Sequence, residues 1–220
     1  MAHQEASDDR PATTLFPQFE STLWGMITSE VRGLTEAHLD FESDRWEWSK
    51  WSIRRNLSHV ASGDFRWLWG RWGAQLFPQG LPNANELDAL SESPYDRRLD
   101  EDRYWELEVI LQKVRQGLDM CWSVLSAETA GSLRSKEIQT PGGVLWDEHP
   151  EIFFGGVRQD PADSSKVYMS LEATFHHRYY EHLAHLYNIQ RLKKAQGLEP
   201  LVNIPCEGYW ALPDWDRSEP

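Results

Sequence analysis

Apolar residues recur at steps of three and four along four long stretches of the chain, which is the spacing of one buried helix face. The stretches cover about residues 15–37, 52–77, 102–127 and 165–195. Strand-like alternation is scarce, and the intervening segments contain the proline, glycine and polar residues that are typical of loops. The pattern therefore predicts an all-α protein, a four-helix bundle.

Local signals give the expected organisation of the chain. We expect a bundle domain over residues 1–197, in which residues 1–13 form a disordered N-terminal tail. Gly197 is expected to end the fourth helix, and residues 198–220 are expected to form an irregular tail that packs on the bundle. A segment over about residues 131–164, rich in glycine and proline, is predicted to be a long loop before the fourth helix. Such loops often serve as functional lids.

Charge and hydropathy exclude several classes of partner. Asp and Glu number 35 against 22 Lys and Arg, which gives a net charge of -13. So acidic a protein repels phosphate backbones and anionic lipid headgroups, and we expect neither nucleic acid nor membrane as a partner. No apolar run approaches the ~20 residues of a membrane span. The N-terminus lacks the features of a signal peptide, so the expected location is cytoplasmic.

Tryptophan is the outlier in the composition, with 12 copies. Six of them fall between Trp46 and Trp72. Large aromatic side chains mostly fill cores and interfaces, so these residues are expected to wall a core or a dimer face, although some could line an apolar ligand pocket. The two cysteines, Cys121 and Cys206, are too few for a disulfide framework or a Cys-rich zinc site.

The candidate chemistry lies in the fourth predicted helix, where four histidines fall within ten residues. On a helical wheel at ~100° per residue, Arg178, His182 and His185 lie on the apolar stripe and Glu181 lies at its edge. Burying such groups is costly unless they pair or bind a metal. Glu181 and His185 are spaced i and i+4, so both can reach one ion. A solvated Glu–His pair fits the same spacing.

A third metal ligand would have to come from another helix. His59 is the histidine of the second predicted helix, and it lies off the apolar stripe of that helix. This position fits either an exposed histidine or a ligand at the mouth of a half-open cavity. The pattern leaves both interpretations open.

Three short segments resemble the DinB/YfiT-like superfamily of metalloenzymes. Residues 51–59, Trp-Ser-Ile-Arg-Arg-Asn-Leu-Ser-His, are similar to the family stretch W-S-I-R-E-x-L-x-H. Residues 34–39 resemble the L-T-E-E-x-L that commonly ends the first helix in that family. Residues 185–189 match the segment at the last ligand, with Asn188 in place of the usual Gln. The likeness covers about residues 15–197.

The resemblance implies a four-helix bundle that binds a divalent metal through His59, Glu181 and His185. Most members have His where this chain has Glu181, whereas the mycothiol-dependent maleylpyruvate isomerases of the superfamily carry a His/Glu/His set. A carboxylate makes the site harder, so Zn, Ni, Mn and Fe are all candidates. His182, three residues before His185, is an alternative third ligand.

The same resemblance implies a metal-dependent enzyme acting on a small molecule, most directly a thiol-dependent transferase or isomerase in which the metal activates a low-molecular-weight thiol. The alternatives are a hydrolase that uses a metal-activated water and a non-catalytic, dimeric metal-binding or stress-response bundle. A homodimer is expected.

His182 is a candidate general base or a hydrogen-bonded core histidine. Arg178 is a candidate binder of an anionic group or a member of a buried ion pair.

Overall fold

The computed structural model describes residues 8–143, 146 and 148–220. This part of the chain is mainly helical and contains one small three-stranded antiparallel sheet. The expectation of a mainly helical fold is confirmed, and the expectation of a fold without strands is wrong. Within the described residues, each helix is too short or too polar to cross a lipid bilayer.

The regular elements follow one another in this order along the described chain. The helices are α1 (Thr22–Val31), α2 (Glu36–Leu39), α3 (Ile53–Phe65), a π-helical segment (Arg66–Arg71), α4 (Gly73–Leu76), α5 (Ala84–Ser91), α6 (Leu107–Ala127), α7 (Ala130–Ser135) and α8 (Leu171–Ala195). The strands are β1 (Glu137–Pro141), β2 (Val157–Gln159) and β3 (Lys166–Ser170). Short 3-10 helices occur at Ala12–Thr14, Pro17–Phe19, Glu47–Ser49, Pro150–Phe153 and Tyr209–Ala211.

These elements group into two compact units. The larger unit comprises residues 18–121 and 178–220, and the smaller unit comprises residues 8–17 and the described residues of 122–177. The larger unit holds α1 to α5 together with most of α6 and α8, and the smaller unit holds α7 and the sheet.

In the larger unit, the predicted second helix is present as α3, the π-helical segment and α4 in succession. Ser52 caps α3, because its side chain accepts a hydrogen bond from the backbone N–H of Arg55 at 3.3 Å. In the π-helical segment, the backbone N–H of Trp72 donates to the carbonyl of Trp67 at 3.0 Å, five residues back. The segment between the second and third predicted helices, which the sequence predicts to be a loop, contains α5.

The end of α8 agrees with the sequence prediction, and its start does not. The helix ends at Ala195, and Gly197 adopts a φ of 73°, a left-handed conformation that favours glycine. The backbone N–H of Leu198 then donates to the carbonyl of Lys193 at 2.9 Å. The helix begins at Leu171, because the preceding residues form β3.

The smaller unit contains the sheet, in the order β1-β3-β2 with both pairs antiparallel. Central β3 buries Val167 and Met169 on one face. The predicted long loop over residues 131–164 is therefore wrong where α7, β1 and β2 lie, whereas residues 154–156 and 160–165 contain neither helix nor strand. Residues 130–135 are helical because Thr129 and Ser132 form a capping box, and residues 137–141 pair with β3. Residues 144, 145 and 147 of that loop lie outside the described residues.

The N-terminal segment of the smaller unit differs from the expected disordered tail over residues 1–13. Ala12 is buried, and its backbone N–H donates to the carbonyl of Glu128 at 3.1 Å. The backbone N–H of Gly131 donates to the carbonyl of Asp8 at 2.8 Å. Residues 8–13 are thus hydrogen-bonded, and residues 1–7 lie outside the described residues.

The tryptophans of the segment that follows α3 are mostly internal. Trp67 and Trp72 are buried, and Trp69 is half-buried and donates its indole N–H to Asp88 at 2.8 Å. Trp67 and Trp72 serve as core, which is one of the roles expected for them. The homodimer remains a prediction.

Candidate metal centre

Three titratable side chains of the larger unit converge from two helices. His59 comes from α3, and Glu181 and His185 lie one turn apart on α8. One ligand atom of each lies within 4.8 Å of the others. Oε2 of Glu181 is 3.1 Å from Nε2 of His59 and 3.5 Å from Nε2 of His185. The three residues that the sequence singled out as ligands are thus neighbours in the structure.

The cluster is buried on one side and accessible on the other. His59 is 4% exposed, so the interpretation of His59 as an exposed histidine is wrong. The side chains of Glu181 and His185 are 18% and 14% exposed. The indole of Trp51 lies 5.1 Å from the His59 ring and stacks at 6.1 Å on the His185 ring. Trp51 therefore covers part of the cluster.

Asn56 fixes the tautomer of His185. The amide Nδ2 of Asn56 donates to the backbone carbonyls of Trp51 at 3.0 Å and Ser52 at 2.9 Å. Carbonyls only accept, so the amide cannot be turned over, and its Oδ1 faces Nδ1 of His185 at 2.7 Å. Nδ1 of His185 must therefore donate a proton, which leaves Nε2 directed at Glu181 as a free ligand atom in the neutral ring. Such hydrogen bonds to the distal nitrogen orient metal-binding histidines.

The charges at the cluster fit a bound cation. Burial, reinforced by the neighbouring His185, lowers the pKa of His59 to about 3, so its imidazole is neutral at ordinary pH. In the neutral His185 ring, the lone pair on Nε2 faces a carboxylate, which is unfavourable unless a proton or a metal ion lies between them. Metal bonds of about 2.1 Å in tetrahedral geometry place ligand atoms about 3.4 Å apart. The observed 3.1 Å and 3.5 Å separations match this spacing.

The two residues proposed as catalytic, Arg178 and His182, belong to a separate buried cluster around Asp64. Arg178 is 1% exposed, and its guanidinium donates to Oδ1 of Asp64 at 2.9 Å and to the carbonyl of Val60 at 3.1 Å. Nε2 of His182 lies 3.1 Å from Oδ2 of Asp64. Of the two interpretations of Arg178, the structure therefore shows the buried ion pair. His182 is a hydrogen-bonded core histidine.

The buried Asp64 carboxyl group is stabilised in its charged form by its two partners. Burial alone would raise the pKa of Asp64, but His182 and Arg178 outweigh it and lower the pKa. Nε2 of His182 contacts Asp64. Glu181, and not the alternative ligand His182, lies beside His59 and His185. Burial and the nearby Asp64 raise the pKa of Cys121 well above its usual value, so this thiol is un-ionised and packs as a core residue.

Arg54, within the segment that resembles the family motif, has a structural role. Its side chain is buried, and its Nε donates to Oδ1 of Asp40 at 2.7 Å. Nη1 donates to the carbonyl of Trp105 at 2.7 Å, and the guanidinium also pairs with Glu36. Arg54 therefore ties the start of α3 to α2 and to the residues before α6.

The other histidines of the α8 cluster pack in the smaller unit. His177 is buried and makes an edge-on contact with Trp146 at 5.7 Å. The His176 ring lies 4.8 Å from each of Phe16 and Phe154, and burial lowers its pKa to about 4. Both histidines therefore pack against aromatic rings of the smaller unit.

Comparison of the chain with protein-family models, with curated proteins and with solved structures gives no match.

Proposed function

We propose that the protein is a divalent-metal-dependent enzyme of the DinB-like type, a thiol-dependent transferase or isomerase, and that α1, α3, α6 and α8 form its four-helix bundle. The observation that carries the proposal is the convergence of His59, Glu181 and His185 within 4.8 Å. They meet at the positions that the motif resemblance assigns to the metal ligands. The fixed tautomer of His185 supports the same role.

The residues of the cluster have distinct tasks in this proposal. His59, Glu181 and His185 hold the ion, which when bound lowers the pKa of a coordinated thiol or water molecule. Asn56 keeps Nδ1 of His185 protonated, so that Nε2 is available as a ligand atom. Trp51 shields one side of the cluster from water and leaves Glu181 and His185 partly accessible to a small molecule.

Three protein ligands with a partly open side favour a catalytic site over a structural one, because structural sites usually have four protein ligands. Two alternatives remain. A hydrolase would use the same three ligands with water in place of a thiol. A non-catalytic, dimeric metal-binding bundle would hold the ion without turning over a substrate.

The first experiment measures bound metal. The untagged protein, purified without chelators, is expected to contain about one equivalent of a transition metal, Zn, Ni, Mn or Fe, by inductively coupled plasma mass spectrometry. His59→Ala, Glu181→Ala and His185→Ala should each lose it. His176→Gln, on the same helix but outside the cluster, is the matched control and should retain it. A protein that takes up no such metal, even when supplied, would contradict the proposal.

A second experiment separates the chemistries. The metal-loaded protein is incubated with a panel of low-molecular-weight thiols and an electrophile such as monobromobimane, and separately with activated esters. Thiol conjugation that depends on Glu181 supports the transferase assignment. Ester hydrolysis without thiol dependence would favour the hydrolase, and metal binding without either activity would favour the non-catalytic bundle.

A further inference from the structure

An unpaired arginine lies on the same helix face as His59. Arg66 follows His59 by seven residues, which is two turns, at the junction of α3 and the π-helical segment. Long side chains on a helix lean towards its N-terminus, so the Arg66 side chain leans in the direction of His59. π-helical segments inside helices are frequent at functional sites.

The guanidinium of Arg66 has no partner among the described residues. Its Nε is buried without a hydrogen-bond acceptor, and the side chain makes no ion pair within the described chain. This is unusual in a protein with 35 acidic residues. Arg66 as a whole is half-buried, so its guanidinium is partly desolvated without a compensating acceptor. Desolvating a charge in this way is costly, and an external anion would relieve the cost.

The other arginines near Arg66 are already engaged. Arg178 is paired with Asp64, and the Arg71 guanidinium lies 3.9 Å from the Trp67 ring centre. Arg97 pairs with Asp96. Burial and then the charges of Arg178 and Arg97 lower the pKa of Arg66 to about 10, whereas Glu181 opposes this shift, so Arg66 still carries its positive charge at neutral pH.

We infer that Arg66 binds the carboxylate of a small acid whose other end coordinates the ion held by His59, Glu181 and His185. The planar guanidinium fork matches a carboxylate in two parallel hydrogen bonds. Arg66 thus takes the anion-binding role for which the sequence also made Arg178 a candidate. The inference rests on the proposed function and narrows its substrate or co-substrate to a thiol that also carries a carboxylate.

The test uses the cobalt-loaded protein, in which a coordinated thiolate gives a sulfur-to-cobalt absorption band. Mercaptoacetate and 3-mercaptopropionate are titrated beside the uncharged 2-mercaptoethanol and 3-mercapto-1-propanol. The wild-type protein should bind the acids more tightly, and this preference should weaken as salt rises. Arg66→Gln should weaken binding of the acids by about 10- to 100-fold and leave the alcohols within about twofold.

Two variants sharpen the result. Arg66→Lys keeps the charge but not the fork and should recover part of the preference. Arg32→Gln removes an exposed arginine at the end of α1 and should change nothing. Equal binding of acids and alcohols by the wild-type protein would overturn the inference without any variant, while leaving the proposed metal site intact. Failure to take up cobalt would overturn both.

Discussion

At the scale of single residues, the candidate centre depends on a neutral side chain as well as on its three titratable ones. Asn56 makes three hydrogen bonds, two to backbone carbonyls and one to Nδ1 of His185. The two bonds to carbonyls fix the orientation of the amide group, and this orientation directs its Oδ1 at Nδ1 of His185. The proton on His185 is therefore determined by the backbone of the turn before α3.

Replacing Asn56 by leucine should weaken metal binding. Asn56→Leu keeps a side chain of similar size but removes the acceptor for Nδ1 of His185. The imidazole therefore loses its fixed tautomer and orientation. We expect a loss of about 10- to 100-fold in zinc affinity, measured by competition with a chromogenic chelator. Circular dichroism should show the same helix content as in the wild-type protein. Unchanged zinc affinity in a folded variant would contradict the role of Asn56.

The sequence identifies the candidate ligands but not the partners that position other buried groups. His59, Glu181 and His185 can be found because two share a helix face and one ends a motif-like segment. Asp64 cannot be identified from the sequence as a partner of His182, because the two residues are 118 positions apart. Short polar side chains such as Asp also serve many local roles. From sequence alone, the buried ion pair of Arg178 is therefore one of two open interpretations.

At the scale of elements, the guanidinium of Arg178 on α8 packs against α3 at Gly63. A Cβ atom at Gly63 would lie 2.5 Å from Nη2 and 2.6 Å from Nη1 of Arg178. Because Gly63 has no side chain, the Arg178 guanidinium fits beside it and reaches Asp64 and the carbonyl of Val60. Glycine is otherwise unfavourable within a helix by about 1 kcal/mol relative to alanine.

Gly63→Ala should destabilise the protein despite its better helix propensity. The added methyl group must displace a buried guanidinium that is paired with Asp64, and we expect the free energy of unfolding in urea to fall by about 1 to 3 kcal/mol. Gly25→Ala is the matched control, because Gly25 lies inside α1 and a Cβ atom added there would meet nothing within 4 Å. That variant should gain about 0.5 to 1 kcal/mol. Equal effects of the two substitutions would show that the contact with Arg178 does not constrain the packing.

The helices are easier to predict than the sheet for a physical reason. The long helices repeat their apolar spacing over several turns, whereas β2 is only three residues long and β1 buries mainly Thr140. Strands this short carry little periodic signal, and their stability comes from pairing with β3. In β3 itself, Val167 stands four residues before Leu171, so the segment also matches a helix face and the sequence predicts it as the start of the fourth helix.

At the scale of the molecule, the acidic residues that the structure describes lie mostly outside the core, and Glu30, Asp64 and Asp160 are the buried ones among them. Some of these buried charges form ion pairs. Glu30 and Lys193 form one such internal pair in the larger unit, with the two side chains 0% and 3% exposed. The other carboxylate oxygen of Glu30 accepts from the backbone N–H groups of Leu201 and Val202 at 2.9 Å and 2.8 Å. This pair therefore anchors the beginning of the C-terminal tail to α1 and α8.

Removing the charge of Glu30 should loosen the tail and destabilise the unit. Glu30→Gln leaves Lys193 buried without its counter-ion, and breaking a buried pair in this way costs about 3 to 5 kcal/mol. We expect that loss in urea unfolding at pH 7, together with faster amide hydrogen exchange at Leu201 and Val202. Lys194→Gln breaks the neighbouring pair with Glu219, whose side chains are 41% and 46% exposed, and should cost less than about 1 kcal/mol.

The effect of Glu30 should also depend on pH, with a definite sign. Burial alone would raise the pKa of Glu30, but Lys193 and the other donors outweigh it and lower the pKa below the ordinary 4.5. A carboxyl group whose pKa is lower in the folded state stabilises that state above its unfolded pKa, and this contribution disappears as the pH falls through the folded pKa. The difference in unfolding free energy between the wild-type protein and Glu30→Gln should therefore be constant near neutrality and shrink below about pH 4.5. A difference that stayed the same down to pH 3 would mean that the carboxylate charge is not what holds the tail.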